Sequence, residues 1–284
     1  MTIEEALGNI KNNLKNNQVK ITDTRGGKTI DNLHEAIKFQ IKNILLEKEK
    51  IIPNILPTIG EHKKGELKLS GFYKTKTQDI CLTPNTEQLE EVLNFTALNK
   101  EVDKFGFDFT QKTLSINVRS QISKITANTD TMFERTFAEA LNLHLRCPNM
   151  VLGDIYLLSL YDFGKTERKN KATGKKEKVI IGYLSKKTVE KYIKFFQAIN
   201  NRNCKNCRSL SGIISPETYE ATALLIVDFS QSIPKFYNST KELIDDDFLP
   251  QNTTVRYEGL EWDSFFNKIL GIYNQRFGLQ YLQH

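Results

Sequence analysis

The chain is poor in the residues on which several kinds of chemistry depend: 284 residues include four histidines, four cysteines, one tryptophan and seven prolines. Four scattered histidines are too few for a histidine-based metal site, and the sequence has no HExxH helix, no GxSxG elbow and no glycine loop to cradle phosphates. Metalloprotease, elbow-type hydrolase and kinase readings fall with them, and no nucleotide cofactor is expected. Cys81 and Cys147 stand alone. Cys204 and Cys207 form a single CxxC with neither a second pair nor a nearby histidine to complete a tetrahedral zinc site, so reduced thiols are the expectation, with a shared site or a redox pair left open. No apolar run has the length to span a bilayer, and residues 2–14 form an acidic amphipathic stretch instead of a charged-then-apolar leader. A cytoplasmic protein with no membrane partner is expected. No internal repeat is visible, and low complexity is confined to residues 165–178.

What the chain does have is charge unevenly placed. The net charge of +6 says little by itself. Residues 165–208, however, carry fourteen Lys or Arg against three Glu, a local net of +11, whereas residues 217–263 carry ten acids against Lys235, Lys241 and Arg256. Such segregation suits a molecule that turns one basic face to a polyanion, although solvated surface is the plainer explanation.

Periodicity predicts a mixed α/β protein with a central mixed sheet flanked by helices. Residues 2–14 read as a helix with Thr2 and Glu5 as a capping box, and 30–50 as a second helix stopped by Pro53 and Pro57. Residues 66–73 and 78–83 read as a hairpin, 85–102 as a helix, 113–118 as a strand and 131–146 as a helix with Phe133, Phe137, Leu141 and Leu145 along one side. Strands follow at 150–163 and 179–184, then a helix at 187–200, a wholly apolar strand at 221–229 and a closing helix at 258–277. One compact unit is expected, softly divided near residue 125 into a helical and hairpin region (1–125) and an α-β-β-α-β block with a C-terminal helix (126–284).

Cleavage of a phosphodiester with metal assistance needs clustered carboxylates and commonly a lysine. Alternation along 150–163 puts Asp154 and Asp162 on one mostly apolar face, which is costly without a partner or a metal. Asp154 follows Gly153 and reads equally as a bulge marker. Glu134 falls on the apolar stripe of its helix and so faces the sheet, unless it serves only as the end of the capping box begun by Thr131; Glu139 points the other way. Lys165 and Lys178 are the nearby cations. In the hairpin, Glu66 and Lys68 share a face, and Lys68, Lys74, Lys76 and Gln78, with Arg25, His62, Lys63 and Lys64 close in sequence, are candidates for DNA contact, Gln78 for an adenine edge. Lys187 and Lys191 on the outer side of their helix, and Arg202 beyond it, are candidates for phosphate contact.

The order of a helix glutamate, a strand aspartate, a second strand, a lysine-rich helix and a buried strand over residues 130–230 resembles the core of the PD-(D/E)xK nucleases, and the chain resembles bacterial type II restriction endonucleases. The runs that carry the resemblance are Phe133-Glu134-Arg135-Thr136-Phe137-Ala138-Glu139-Ala140-Leu141-Asn142-Leu143-His144 and Leu152-Gly153-Asp154-Ile155-Tyr156-Leu157-Leu158. The resemblance implies a restriction-endonuclease-like core and Mg²⁺-dependent cleavage of double-stranded DNA by a homodimer. It implies Asp154 and Asp162 as metal ligands, Glu134 as a supporting carboxylate, and Lys165 or Lys178 assisting hydrolysis. The pattern departs from the family where Gly153 replaces proline, where two residues separate Asp162 from Lys165, and where the strand from Val179 has no acid-x-lysine triplet. Two alternatives remain: a non-catalytic DNA-binding or regulatory protein, and a metal-independent enzyme acting on a flipped base.

Overall fold

The computed structural model describes residues 1–16, 27–62, 65–94, 96–169, 176–200 and 217–284. Arg25, Lys63, Lys64, Arg202, Cys204 and Cys207 lie outside the described residues.

The chain opens with helices α1 (Ile3–Asn16) and α2 (Gly27–Ile44). The capping box of α1 forms: the Thr2 N–H donates to Glu5 Oε2 at 2.8 Å and the Glu5 N–H to Thr2 Oγ1 at 3.3 Å. Its stripe of Ile3, Ala6, Leu7, Ile10 and Leu14 is buried. Short strands β1 (Ile55–Leu56), β2 (Lys68–Ser70), β3 (Thr75–Thr77) and β4 (Ile80–Leu82) follow, then β5 (Glu91–Val92) and β6 (Val102–Asp103), helix α3 (Gly106–Lys112) and strand β7 (Leu114–Gln121). Helix α4 (Ile125–His144) leads to β8 (Val151–Ser159), β9 (Tyr161–Lys169), β10 (Lys176–Tyr183), α5 (Lys186–Asn200) and β11 (Ala221–Asp228). The chain ends with β12 (Lys235–Phe236), α6 (Thr240–Asp245) and α7 (Trp262–Arg276).

A mixed six-stranded sheet in the order β1-β4-β7-β8-β11-β12 forms the centre, flanked by helices as the periodicity predicts. β7, β8 and β11 are parallel and joined through α4 and α5, while β4 and β12 join antiparallel at either side. β8 is fully buried along its length, as a central parallel strand must be. Among the described residues no helix is long and apolar enough to cross a membrane.

Four readings of the sequence are corrected. The hairpin partner of β2 is β3, and the strand expected at 78–83 enters the central sheet as β4. Residues 85–102 hold β5, a 3₁₀ turn at Thr96–Leu98 and the start of β6 instead of a helix. The strand expected over 150–163 ends at Ser159, so Asp162 lies on β9, which pairs with β10 in a two-stranded ribbon outside the central sheet. Gly153 marks no bulge; it stays in register with Ile116 and Ala221. A Cβ there would stand 2.6 Å from Ile269 Cδ1 and 2.7 Å from Phe265 Cζ, so the glycine admits α7 against the sheet.

Candidate functional site

β7 alternates strictly. Leu114, Ile116 and Val118 join the core packed with α1, α2 and α7, which leaves Ser115, Asn117, Arg119 and Gln121 on the side of α4. Asp154 on β8 lies opposite Asn117 in register. Helix α4 meets this side through small or polar residues, with Thr129, Thr136, Ala140 and Asn142 all buried. The expected stripe is displaced: Phe137 is 40% and Leu145 39% exposed. As a result Glu134 is exposed and Glu139 faces the sheet, the reverse of the sequence expectation. The burying side of α4 sets Thr129, Thr136 and Ala140 between Ile125 and Leu143, and the small residues at its middle carry little weight in a search for large apolar side chains.

The groups brought together are Lys76 from β3, Arg119 from β7, Glu139 from α4 and Asp154 from β8. Arg119 Nη1 donates to Asp154 Oδ1 at 2.6 Å and to Thr136 Oγ1 at 2.9 Å, and its Nη2 pairs with Glu139 Oε2. Lys76 Nζ pairs with the same Glu139 oxygen. Tyr219 OH accepts from Asn117 Nδ2 at 3.2 Å and from Arg119 Nη2 at 3.3 Å, and donates to the Thr136 carbonyl at 3.0 Å. The cluster runs from surface to interior: side-chain exposure is 22% at Glu139 and 19% at Lys76, 12% at Arg119 and nil at Asp154. Asp154 Oδ2 is buried without a hydrogen-bond partner.

Lys76 is set in place by α4. Asn142 Oδ1 accepts the Tyr73 and Lys74 N–H groups at 2.8 and 3.1 Å, and its Nδ2 donates to the Lys74 carbonyl at 3.0 Å, which pins the β2–β3 turn to the helix. Gly71 permits this approach, since a Cβ there would meet Asn142 Nδ2 at 2.2 Å.

The electrostatics follow from burial and neighbours. Burial pushes Asp154 up to about 6, against the pull of Arg119. Burial opposes the charge of Glu139 as well, but Arg119 and Lys76 outweigh it and hold Glu139 below the usual carboxylate range. Lys76 is lowered by burial, only partly offset by Glu139. Asp79, whose Oδ2 accepts the Val118 N–H at 2.7 Å, is raised by burial. Arg119 stays charged, because Asp154, Tyr219 and Glu139 together outweigh its desolvation.

The other expected site residues are not brought here. Asp162 lies at the N-terminus of α4, its Oδ1 accepting the Lys124 and Gly164 N–H groups at 2.8 and 2.7 Å and its Oδ2 the Ile125 N–H at 2.8 Å. That is a helix-capping role. Lys165 and Lys178 are exposed on the β9–β10 ribbon, opposite Ile180 and Glu167 respectively. Gln78 is fully buried; its Oε1 accepts from Ser115 Oγ at 2.8 Å and its Nε2 donates to the Lys76 carbonyl at 3.1 Å, so this amide is withdrawn from any base edge. Lys68, Lys74, Lys187 and Lys191 are exposed, and Lys191 pairs with Asp130 at 2.7 Å.

Magnesium does not fit the pair Asp154 and Asp162, because three backbone N–H groups engage both oxygens of Asp162. Among the described residues no three His, Cys, Asp or Glu side chains group so as to hold a metal ion. Between Asp154 and Glu139 stands the Arg119 guanidinium, a cation already in place. A concavity of about 640 Å³ lies away from this cluster, at the end of β11 among Tyr183, Lys186, Asp228, Tyr237, Asp246 and Asp247. Its acids are engaged: Asp228 by Tyr183, Ser230 and Gln231, Asp246 by Lys235 and Tyr237, and Asp247 by Lys186.

Fold and site together define a mixed α/β protein with a part-buried ionic centre at the side of its parallel strands. No protein-family model, curated protein or solved structure matches the chain.

Proposed function

We propose that this chain is an endonuclease of the restriction type acting on double-stranded DNA, with Lys76, Arg119 and Glu139 as its reacting groups and Asp154 as the residue that positions Arg119. One observation carries the reading: two cations and two carboxylates from four separate elements converge at a part-open site around a buried, unpartnered carboxylate oxygen. Fold stability alone gives no reason for such an arrangement, since apolar packing serves it at less cost.

An entering phosphodiester replaces Glu139 as the anion held by Arg119 and Lys76, which then stabilise the charge that develops on the nonbridging oxygens. Glu139, freed of its cations at the mouth of the site, regains basicity and takes the proton of an attacking water. The water oxygen bonds to phosphorus as the bond to the leaving deoxyribose oxygen breaks. Lys76, whose burial favours losing a proton, supplies one to that leaving oxygen. A palindromic target would call for a homodimer.

The test is plasmid cleavage by the purified chain with Mg²⁺ and, separately, with chelator. Discrete fragments are expected, with Glu139→Gln slowing cleavage at least about 100-fold and leaving duplex binding within a few-fold. A second reading, a DNA-binding protein without catalysis, is favoured by the fact that Arg119 already pairs with both acids. Tight binding with intact plasmid under both conditions selects it and overturns the endonuclease.

A further inference from the structure

The β9–β10 ribbon separates its charges by face. Residues paired across an antiparallel ladder share a face, and the register is Lys169↔Lys176, Arg168↔Glu177, Glu167↔Lys178, Thr166↔Val179 and Lys165↔Ile180. One face therefore carries Lys165, Lys169, Lys176 and Lys178 with a single acid, Glu167. On the other, Arg168 and Glu177 cancel beside Thr166 and Val179. All four lysines are exposed, and Ile180, on the lysine face, is 47% exposed. Among the described residues Lys165, Lys169 and Lys178 form no ion pair, and Lys176 approaches Glu167 only at 3.7 Å. On α5, Lys186 pairs with Asp247 and Lys191 with Asp130, Lys194 approaches Glu190 at 3.9 Å, and Lys187 alone forms no ion pair among the described residues. The ribbon pairs with no other sheet.

We infer that the lysine face of the β9–β10 ribbon enters the major groove of double-stranded DNA; this rests on the proposal that duplex DNA is the partner. A two-stranded ribbon fits a groove roughly 12 Å wide. From Lys165 to Lys169 the strand runs about 13 Å, so the lysines reach phosphates on both walls. Ile180 sits between them as an apolar group matched to a thymine methyl, which only the major groove displays.

The test measures binding of the full chain to a labelled duplex across a series of salt concentrations, for the parent and for a variant with Lys165, Lys169, Lys176 and Lys178 all changed to Gln. All four positions are exposed, and an unchanged melting temperature checks that the variant folds. The ribbon variant is expected to bind at least tenfold more weakly at low salt, its plot of log K against log salt shallower by about 3. Methyl green, which occupies the major groove, is expected to displace the parent, and netropsin, which occupies the minor groove, to leave it bound. A parent that binds with a steep salt dependence matched by the ribbon variant overturns the ribbon and leaves DNA as the partner. Displacement by netropsin alone overturns the groove. A parent that binds no duplex overturns DNA as the partner and the ribbon with it.

Discussion

On one face of β7, β8 and β11 the side chains are Leu114, Ile116, Val118, Ile155, Ala223 and Leu225, packed on α1, α2 and α7. On the other face the same strands present Asn117, Arg119, Gln121, Asp154 and Thr222 to α4 and α5, among the apolar Leu152, Tyr156, Leu158, Leu224 and Ile226. Backbone and hydrogen-bond ladder are shared, so the contrast lies wholly in the side chains. The apolar face gains free energy from every methyl it hides, at about 25 cal/mol per Å². The polar face has to match each buried donor with an acceptor merely to break even, and it leaves Asp154 Oδ2 unmatched. One side of the sheet is held by apolar packing alone, and the other combines apolar packing with a polar patch around Arg119 and Asp154.

The largest effect that sharpens this contrast is expected at Arg119. Arg119→Met strips the fully buried Asp154 of its cation and is expected to lower unfolding free energy by about 3–5 kcal/mol in urea titrations. The double variant Arg119→Met/Asp154→Leu is expected to recover most of that loss, since an apolar pair needs no partner, yet to abolish cleavage. On the other face Ile155→Ala is expected to cost about 2–5 kcal/mol, with no such rescue from a polar partner. If Arg119→Met costs less than about 1 kcal/mol, the two faces do not differ in kind.

Acidity gives the next test. Asp154 titrates near 6 when folded, against about 3.9 unfolded. The folded state thus binds its proton more tightly, and the contribution to stability is full below about pH 4 and lost as pH rises through about 6. The expected loss is on the order of 2–3 kcal/mol, with Asp79, also raised by burial, acting in the same direction. Arg119, Glu139, Lys76 and Asp79 face Asp154; Arg119 and Lys76 pull its pKa down, while Glu139 and Asp79 push it up. Asp154→Asn is expected to flatten the slope between pH 4 and 7 in thermal melts. A slope that Asp154→Asn leaves unchanged removes the carboxyl as its source. On the apolar face the corresponding test is steric: Gly153→Ala puts a Cβ against Ile269 and Phe265 and is expected to cost about 1–3 kcal/mol, without pH dependence.

Legibility followed the same division. The apolar face is readable because its period is carried by large aliphatic residues: the stripe of α1 and the apolar run of β11 fall where the periodicity puts them. The polar face is not, for reasons that are physical. α4 buries Thr136 and Ala140, whose small side chains give a weak periodic signal, so the apolar period runs instead through Phe133 and Phe137 and points to Glu134 in place of Glu139. In β7 the signal was present: Ser115, Asn117, Arg119 and Gln121 alternate with an apolar face, and extending the strand past Val118 exposes a buried arginine in need of an anion. Tyr219 and Asn142 act through contacts about 100 and 70 residues distant in sequence, beyond any local pattern. Asp162 was recognised as a costly buried acid, but its partners are backbone N–H groups at the start of α4, which no side-chain motif reports.

The smallest expected effect separates buried charge from exposed charge within one helix. α4 carries both Glu139, held by Arg119 and Lys76, and Asp130, paired with Lys191 of α5 at 2.7 Å with side chains 82% and 51% exposed. Water solvates either member of the exposed pair nearly as well as its partner does, and holding two long side chains in place costs entropy. Lys191→Gln is therefore expected to change unfolding free energy by less than about 0.5 kcal/mol at moderate salt. Its charge is already partnered, so the salt dependence of duplex binding is expected to shift by less than about one phosphate contact, well below the change expected for the ribbon lysines. A Lys191→Gln effect on binding equal to that of the ribbon variant would move the DNA interface from the ribbon to α5.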